Sequence, residues 1–164
     1  SYGTLLGSTL FQSFISGIIA FRVLPRPQFS VLQKHTFPAY FALQTLTPLL
    51  MLLTYPSPRG GPRALLSPQQ PADTTALLLL ATMLAAGAAN WAVVGPRTTE
   101  VMRLRKHQET RDGRKSYDKG PQSVEMAALN RRFGVLHGVS SAVNLGAFLA
   151  MLWYGVLLGE GVAL

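Results

Sequence analysis

Four long stretches of this chain contain no Asp, Glu, Lys or Arg: Gly3 to Phe21, Phe37 to Tyr55, Thr74 to Val94 and Phe133 to Leu158. A bilayer core of about 30 Å is crossed by about 20 apolar residues at about 1.5 Å each, because a helix satisfies its own backbone groups where no water can. Each stretch meets that length. Charged residues make up 13% of the chain and crowd into the segments between, which is how membrane proteins segregate charge. The sequence predicts an all-α fold, a four-transmembrane-helix bundle forming one membrane domain, with a basic, partly helical loop at 95–132. The first stretch has no basic residue before it, so it reads as a retained span rather than a leader.

Breakers mark the span ends. Pro25 and Pro27 follow the first, a Pro/Gly/Ser/Gln loop from Pro56 to Pro71 follows the second, and Gly95-Pro96 is expected to end the third. Asp73 or Thr74 can N-cap the third helix by accepting from its orphan N–H groups. Pro38 falls in the expected first turn of span two, whereas Pro48 lies in its interior, where a kink is expected.

Lys and Arg give the bundle a direction. The first loop holds Arg22, Arg26 and Lys34, the second Arg59 and Arg63, and the third the remaining ten of the 15 basic residues. By the positive-inside rule the first and third loops face the cytoplasm, or a mitochondrial matrix, and both termini face away. The net charge of +8 is therefore read as topological rather than as a nucleic-acid-binding face. Tyr2, Tyr55, Trp153 and Tyr154 are expected at one interface, and Tyr40, Trp91 and Phe133 at the other. In the third loop, Thr98 to Gln108 reads as a helix whose Arg97, Arg103, Arg105 and Lys106, with Arg131 and Arg132, contact lipid headgroups. Arg111 to Gln122 reads as a mobile polar connection, and Ser123 with Glu125 as the start of the next helix.

Three segments stand out together: SFISGIIAFRVLPRPQFSVLQKHTFPAYF from Ser13 to Phe41, NWAVVGPRTTEVM from Asn90 to Met102, and RRFGVLHGVSSAVNLG from Arg131 to Gly146. On these the chain resembles the transmembrane protein 205 family. The resemblance implies a small four-span membrane protein of eukaryotic endomembranes or organelles, and brings no set of catalytic residues with it.

Helices in lipid associate through small residues that let backbones approach. Gly134, Gly138, Ala142, Gly146 and Ala150 recur at four-residue spacing on span four, and Ala81, Ala85 and Ala89 on span three; the first set is the expected helix-packing stripe. Intramembrane polar groups need partners. Gln12, Gln44, Asn90, His137, Ser140, Ser141 and Asn144 fall at depths that predict an interhelical polar cluster in the basic-side half of the bundle, with His137, Ser141 and Asn144 on one face of span four. Such a cluster fixes helix register, or lines a site for a lipid or small polar solute.

No cysteine is present, and all seven acidic residues lie in loops or near a terminus. No nucleophile-and-base pair, phosphate loop or metal motif is recognisable, so no catalytic, cofactor or metal site is expected. The expected function is that of a non-catalytic accessory or adaptor subunit that packs against other integral membrane proteins and meets membrane lipids through its basic loop. Transport or binding of a lipid or small solute is the alternative. The expected location is the endoplasmic reticulum or another endomembrane, with a mitochondrial membrane as the second possibility.

Overall fold

The computed structural model describes residues 1–57, 61–66 and 70–162, with side chains to 160. Arg59 of the second-loop charge count lies outside the described residues. The described chain is helical with no strand, and four helices are long and apolar enough to cross a membrane: Tyr2–Val23, Arg26–Leu53, Pro71–Asp112 and Val124–Val162. They are called the first to fourth helices below. The chain is thus a multi-pass helical membrane protein.

Contacts at the two ends set an antiparallel order. At one end the Tyr2 ring lies 5.8 Å from that of Tyr154, and the Tyr2 hydroxyl donates to the Met151 carbonyl at 3.0 Å. There too the Tyr55 hydroxyl, at the end of the second helix, donates to Asp73 at the start of the third. At the opposite end Phe21 meets Phe29 edge-on, and Arg105 lies over the Phe133 ring at 4.6 Å. The apolar core fills the half nearest Tyr2 and Tyr154, with Leu5, Met51, Leu80, Met83, Ala147 and Met151 at its centre. Leu65, on the short helix Arg63–Leu66, closes that end. Phe11, Ile18, Ile19, Leu46, Leu50, Leu78 and Leu149 are exposed, as lipid-facing side chains must be.

Several local expectations are corrected. Pro38 is interior to its helix, because the second helix begins at Arg26 with Pro27 in its first turn. Gly95-Pro96 does not end the third helix. A π-helical turn, Asn90–Val94, precedes it, and the helix continues to Asp112; the wider turn accommodates the N–H that Pro96 lacks. Asp73 does not cap the third helix; that position is Gln70, followed by Pro71. Hydropathy marks where a helix leaves the membrane, whereas hydrogen bonding decides where it stops.

Pro48 removes the N–H that would bond the Gln44 carbonyl one turn earlier. At that carbonyl the backbone of the third helix comes close. A Cβ on Gly87 would lie 2.7 Å from Gln44 O and 2.9 Å from Thr45 N. Only glycine fits there, and its Cα–H groups face a carbonyl with no helical donor.

The segment between the third and fourth helices is an organised turn, which corrects its reading as a mobile connection. Gly113 takes the left-handed conformation after Asp112 (φ 65°). Glu109 is buried and accepts from the Ser116 N–H and hydroxyl at 3.1 and 2.7 Å, and from Lys106 at 3.1 Å. Arg114 donates to the carbonyls of Lys119 and Pro121. Asn130 donates to Ser116 O and Gln122 Oε1, and the Ser123 hydroxyl accepts from Met126 N as the helix cap. Val101 and Met126 are buried within this helical hairpin.

Candidate functional site

Gln44 and Asn144 meet at the centre of the bundle. The Gln44 amide donates to Asn144 Oδ1 at 2.7 Å and to the Tyr40 hydroxyl at 2.8 Å, with Thr9 Oγ1 at 3.4 Å. Tyr40 donates to Asn144 Oδ1 at 3.0 Å, and Asn144 Nδ2 donates to Ser13 Oγ at 2.8 Å. Thr9 and Gln44 are 0% and 2% exposed. Along the fourth helix Asn144 lies about 15 Å from Tyr154 and about 16 Å from Phe133, so the cluster sits near the middle of an approximately 30 Å apolar layer rather than in its basic-side half. It ties the first, second and fourth helices together, and the amide groups of Gln44 and Asn144 spend their hydrogen bonds on one another and on three hydroxyls.

The other expected members lie elsewhere. Asn90 is 1% exposed and donates to the Ser140 carbonyl at 3.4 Å, while its Oδ1 has no partner among the described residues. Ser140 therefore joins through its backbone. Gln12 lines a separate groove with Ser8, Phe11, Thr36, Ala39, Tyr40 and Leu43. His137 and Ser141 are exposed, and His137 stacks on Phe133 with parallel rings 6.0 Å apart. Of the residues in the cluster, Tyr40, Ser13 and Thr9 were not anticipated; Tyr40 was expected at an interface. Their signal was weak, since hydroxyls are common in apolar helices and, by rise per residue, only Ser13 falls near the depth of Gln44.

The small-residue stripe is corrected as well. Gly134, Gly138, Ala142 and Gly146 are exposed, and a Cβ on any of the three glycines would meet nothing within 4 Å. Only Ala150 is buried. Among the described residues the close approaches between helices belong to Gly87 and to Gly155, whose added Cβ would collide with the Tyr2 hydroxyl. The reason is angular: the fourth helix turns Ala147, Met151 and Tyr154 inward, and a four-residue repeat drifts about 40° per step away from that face.

The basic residues divide in two. Arg97, Arg131 and Arg132 are exposed near the ends of the apolar segments. Arg103 pairs with Glu100 at 2.7 Å, Lys106 with Glu109, and Arg105 is half-buried over Phe133. Burial pushes the Arg105 pKa down, opposed by the nearby Glu109 charge. At Glu109, outside the apolar span, burial raises the carboxyl. The Ser116 and Lys106 hydrogen bonds outweigh it and hold the group below its ordinary value. Among the described residues no three His, Asp or Glu side chains gather as a metal-holding group.

A family model described as a domain of unknown function (DUF4149) matches residues 1–107. The chain is 32% identical over 163 residues to Xanthocillin biosynthesis cluster protein D of Aspergillus fumigatus, covering 99% of this chain and 86% of that protein. No solved structure matches. These matches overturn the resemblance to the transmembrane protein 205 family, for which they give no support. The quoted segments contain Leu-Pro-Arg and Gly-Pro-Arg at places where apolar runs give way to charge, punctuation that unrelated membrane chains share.

Proposed function

We propose, from the premise that this chain belongs to the DUF4149 family, that it is a non-catalytic accessory or adaptor subunit docking against another integral membrane protein through its fourth helix. The observation that carries this reading is the unpacked face of that helix. His137 and Ser141 are exposed beside Gly134, Gly138, Ala142 and Gly146, inside a segment with no charged residue. Lipid tails offer such groups no hydrogen bond, whereas a partner helix supplies donors and acceptors, and the small residues let its backbone come close. The relative named for a biosynthesis cluster fits a supporting part beside membrane-bound enzymes. In this reading the protein lies in an endomembrane with its hairpin and first loop on the cytoplasmic side, and Arg97, Arg131 and Arg132 meet lipid headgroups.

The central cluster favours a second reading, binding or transport of a lipid or small solute. Its hydrogen bonds are largely closed within the protein, however, which suits a clamp between helices better than an open binding site. The test is purification from native membranes in mild detergent followed by mass spectrometry. A stoichiometric membrane-protein partner is expected with the natural chain and is lost with Gly138→Leu, which has open space for its side chain. A lone chain with bound lipid only would sink the adaptor reading.

A further inference from the structure

Between the first and second helices lies a shallow groove of about 290 Å³ lined by Ser8, Phe11, Gln12, Thr36, Ala39, Tyr40 and Leu43, none of them on the fourth helix. Three features set it apart from ordinary lipid-facing surface. First, it follows the π-helical turn Phe11–Ser16, and such turns, costly in an α-helix, often persist at functional sites. Secondly, the Gln12 carboxamide is half-buried in the groove and has no hydrogen-bond partner among the described residues, nor has the Thr36 hydroxyl; the Ser8 hydroxyl is occupied by Leu5 O. Thirdly, Gln12 precedes Ser13, which bonds Asn144, so it lies at the depth of the central cluster and beyond the reach of headgroup water.

An amide left unpaired at mid-bilayer costs free energy that acyl chains cannot return. Phe11, Ala39 and Leu43 meanwhile give the groove apolar walls. The volume is at the lower end of small-ligand sites, so a bound molecule would leave part of itself in lipid. We infer that this groove binds a lipid-soluble small molecule carrying a hydroxyl or carbonyl group, whose polar end pairs with the Gln12 amide and the Thr36 hydroxyl while its apolar body lies along Phe11, Ala39 and Leu43. The site takes its ligand sideways from the membrane, and no bond is made or broken. It does not depend on the docking face of the fourth helix.

The test uses the full chain in phospholipid vesicles and two photoreactive probes, a long-chain alcohol carrying a diazirine and the matched alkane without the hydroxyl, with adducts mapped by peptide mass spectrometry. The alcohol is expected to label Phe11, Gln12 and the Thr36 to Leu43 segment about three- to eighteen-fold more than the alkane, the range that one intramembrane hydrogen bond supplies. Gln12→Leu is expected to bring the two probes level, with Thr36→Val lowering the excess part-way if the first variant does not fold. Equal labelling by both probes overturns the inference. So does an alcohol excess that survives both substitutions, or labelling blocked because a second copy of the chain covers the groove.

Discussion

The Gln44–Asn144 pair supports a quantitative prediction. Asn144→Leu removes two bonds accepted by Oδ1, at 2.7 and 3.0 Å, and one donated by Nδ2 at 2.8 Å. Gln44 keeps Tyr40 and Thr9 as acceptors, so the loss is smaller than three independent bonds would give. Side-chain hydrogen bonds between membrane helices average about 0.6 kcal/mol and reach about 1.7, so the single substitution is expected to cost about 1–3 kcal/mol. The Gln44 contact is the shorter and sits beside a nearly inaccessible side chain, placing its pairwise share near the upper figure. The assay is a double-mutant cycle with Gln44→Leu, Asn144→Leu and the double variant, each unfolded reversibly by increasing SDS in mixed micelles. A coupling of about 1–1.7 kcal/mol is expected. Coupling below about 0.3 kcal/mol, the level at which unconnected sites add, refutes the clamp.

Other consequences are as sharp. Gly87→Ala places a methyl against the Gln44–Thr45 backbone and is expected to cost about 1–3 kcal/mol, whereas Gly138→Ala, which meets nothing, is expected to leave the same unfolding midpoint unchanged. The Glu109 carboxyl is held below its ordinary value, so its share of hairpin stability is full above the unfolded-state pKa and disappears as pH falls through the folded one. Proteolysis at the 114–122 turn should therefore accelerate on acidification below the ordinary glutamate range and be fast at all pH values in Glu109→Gln; a rate independent of pH in the natural chain counts against a stabilising role for the Glu109 hydrogen bonds. Because the sequence has no cysteine, single cysteines at Ser57 and Lys119 report sidedness by themselves. An impermeant maleimide is expected to reach Lys119→Cys only from the cytoplasmic side and Ser57→Cys only from the other, and labelling of both from one side contradicts the antiparallel order.

Much of the architecture was legible in the sequence because the membrane imposes a coarse rule: charge-free runs of sufficient length become spans. Depth counting put Gln44 about 10 Å and Asn144 about 16 Å from the basic side, inside the bundle but a helical turn apart, and their contact depends on how far the second helix extends below Phe37. Rotation is harder than depth. Whether Gly138 faces a neighbour or lipid depends on which helices flank it, and nothing in a small-residue repeat names the neighbour. His137 shares a face with Asn144 by spacing, yet stays exposed because the first helix touches the fourth at Phe14 and Phe148 and, nearer the basic end, leans on the second through Phe21 and Phe29. The match between Pro48 and Gly87 was invisible for a related reason. It joins two residues whose meanings, a missing donor and a missing side chain, become one feature only when helix register is known.

The docking face of the fourth helix is tested most directly by site-specific photo-crosslinking in native membranes, with the reactive residue at Ala142 and, for comparison, at Leu78, which is 63% exposed on the third helix. The account predicts a defined protein adduct from Ala142 and lipid adducts alone from Leu78. Lipid adducts alone from both positions would contradict it.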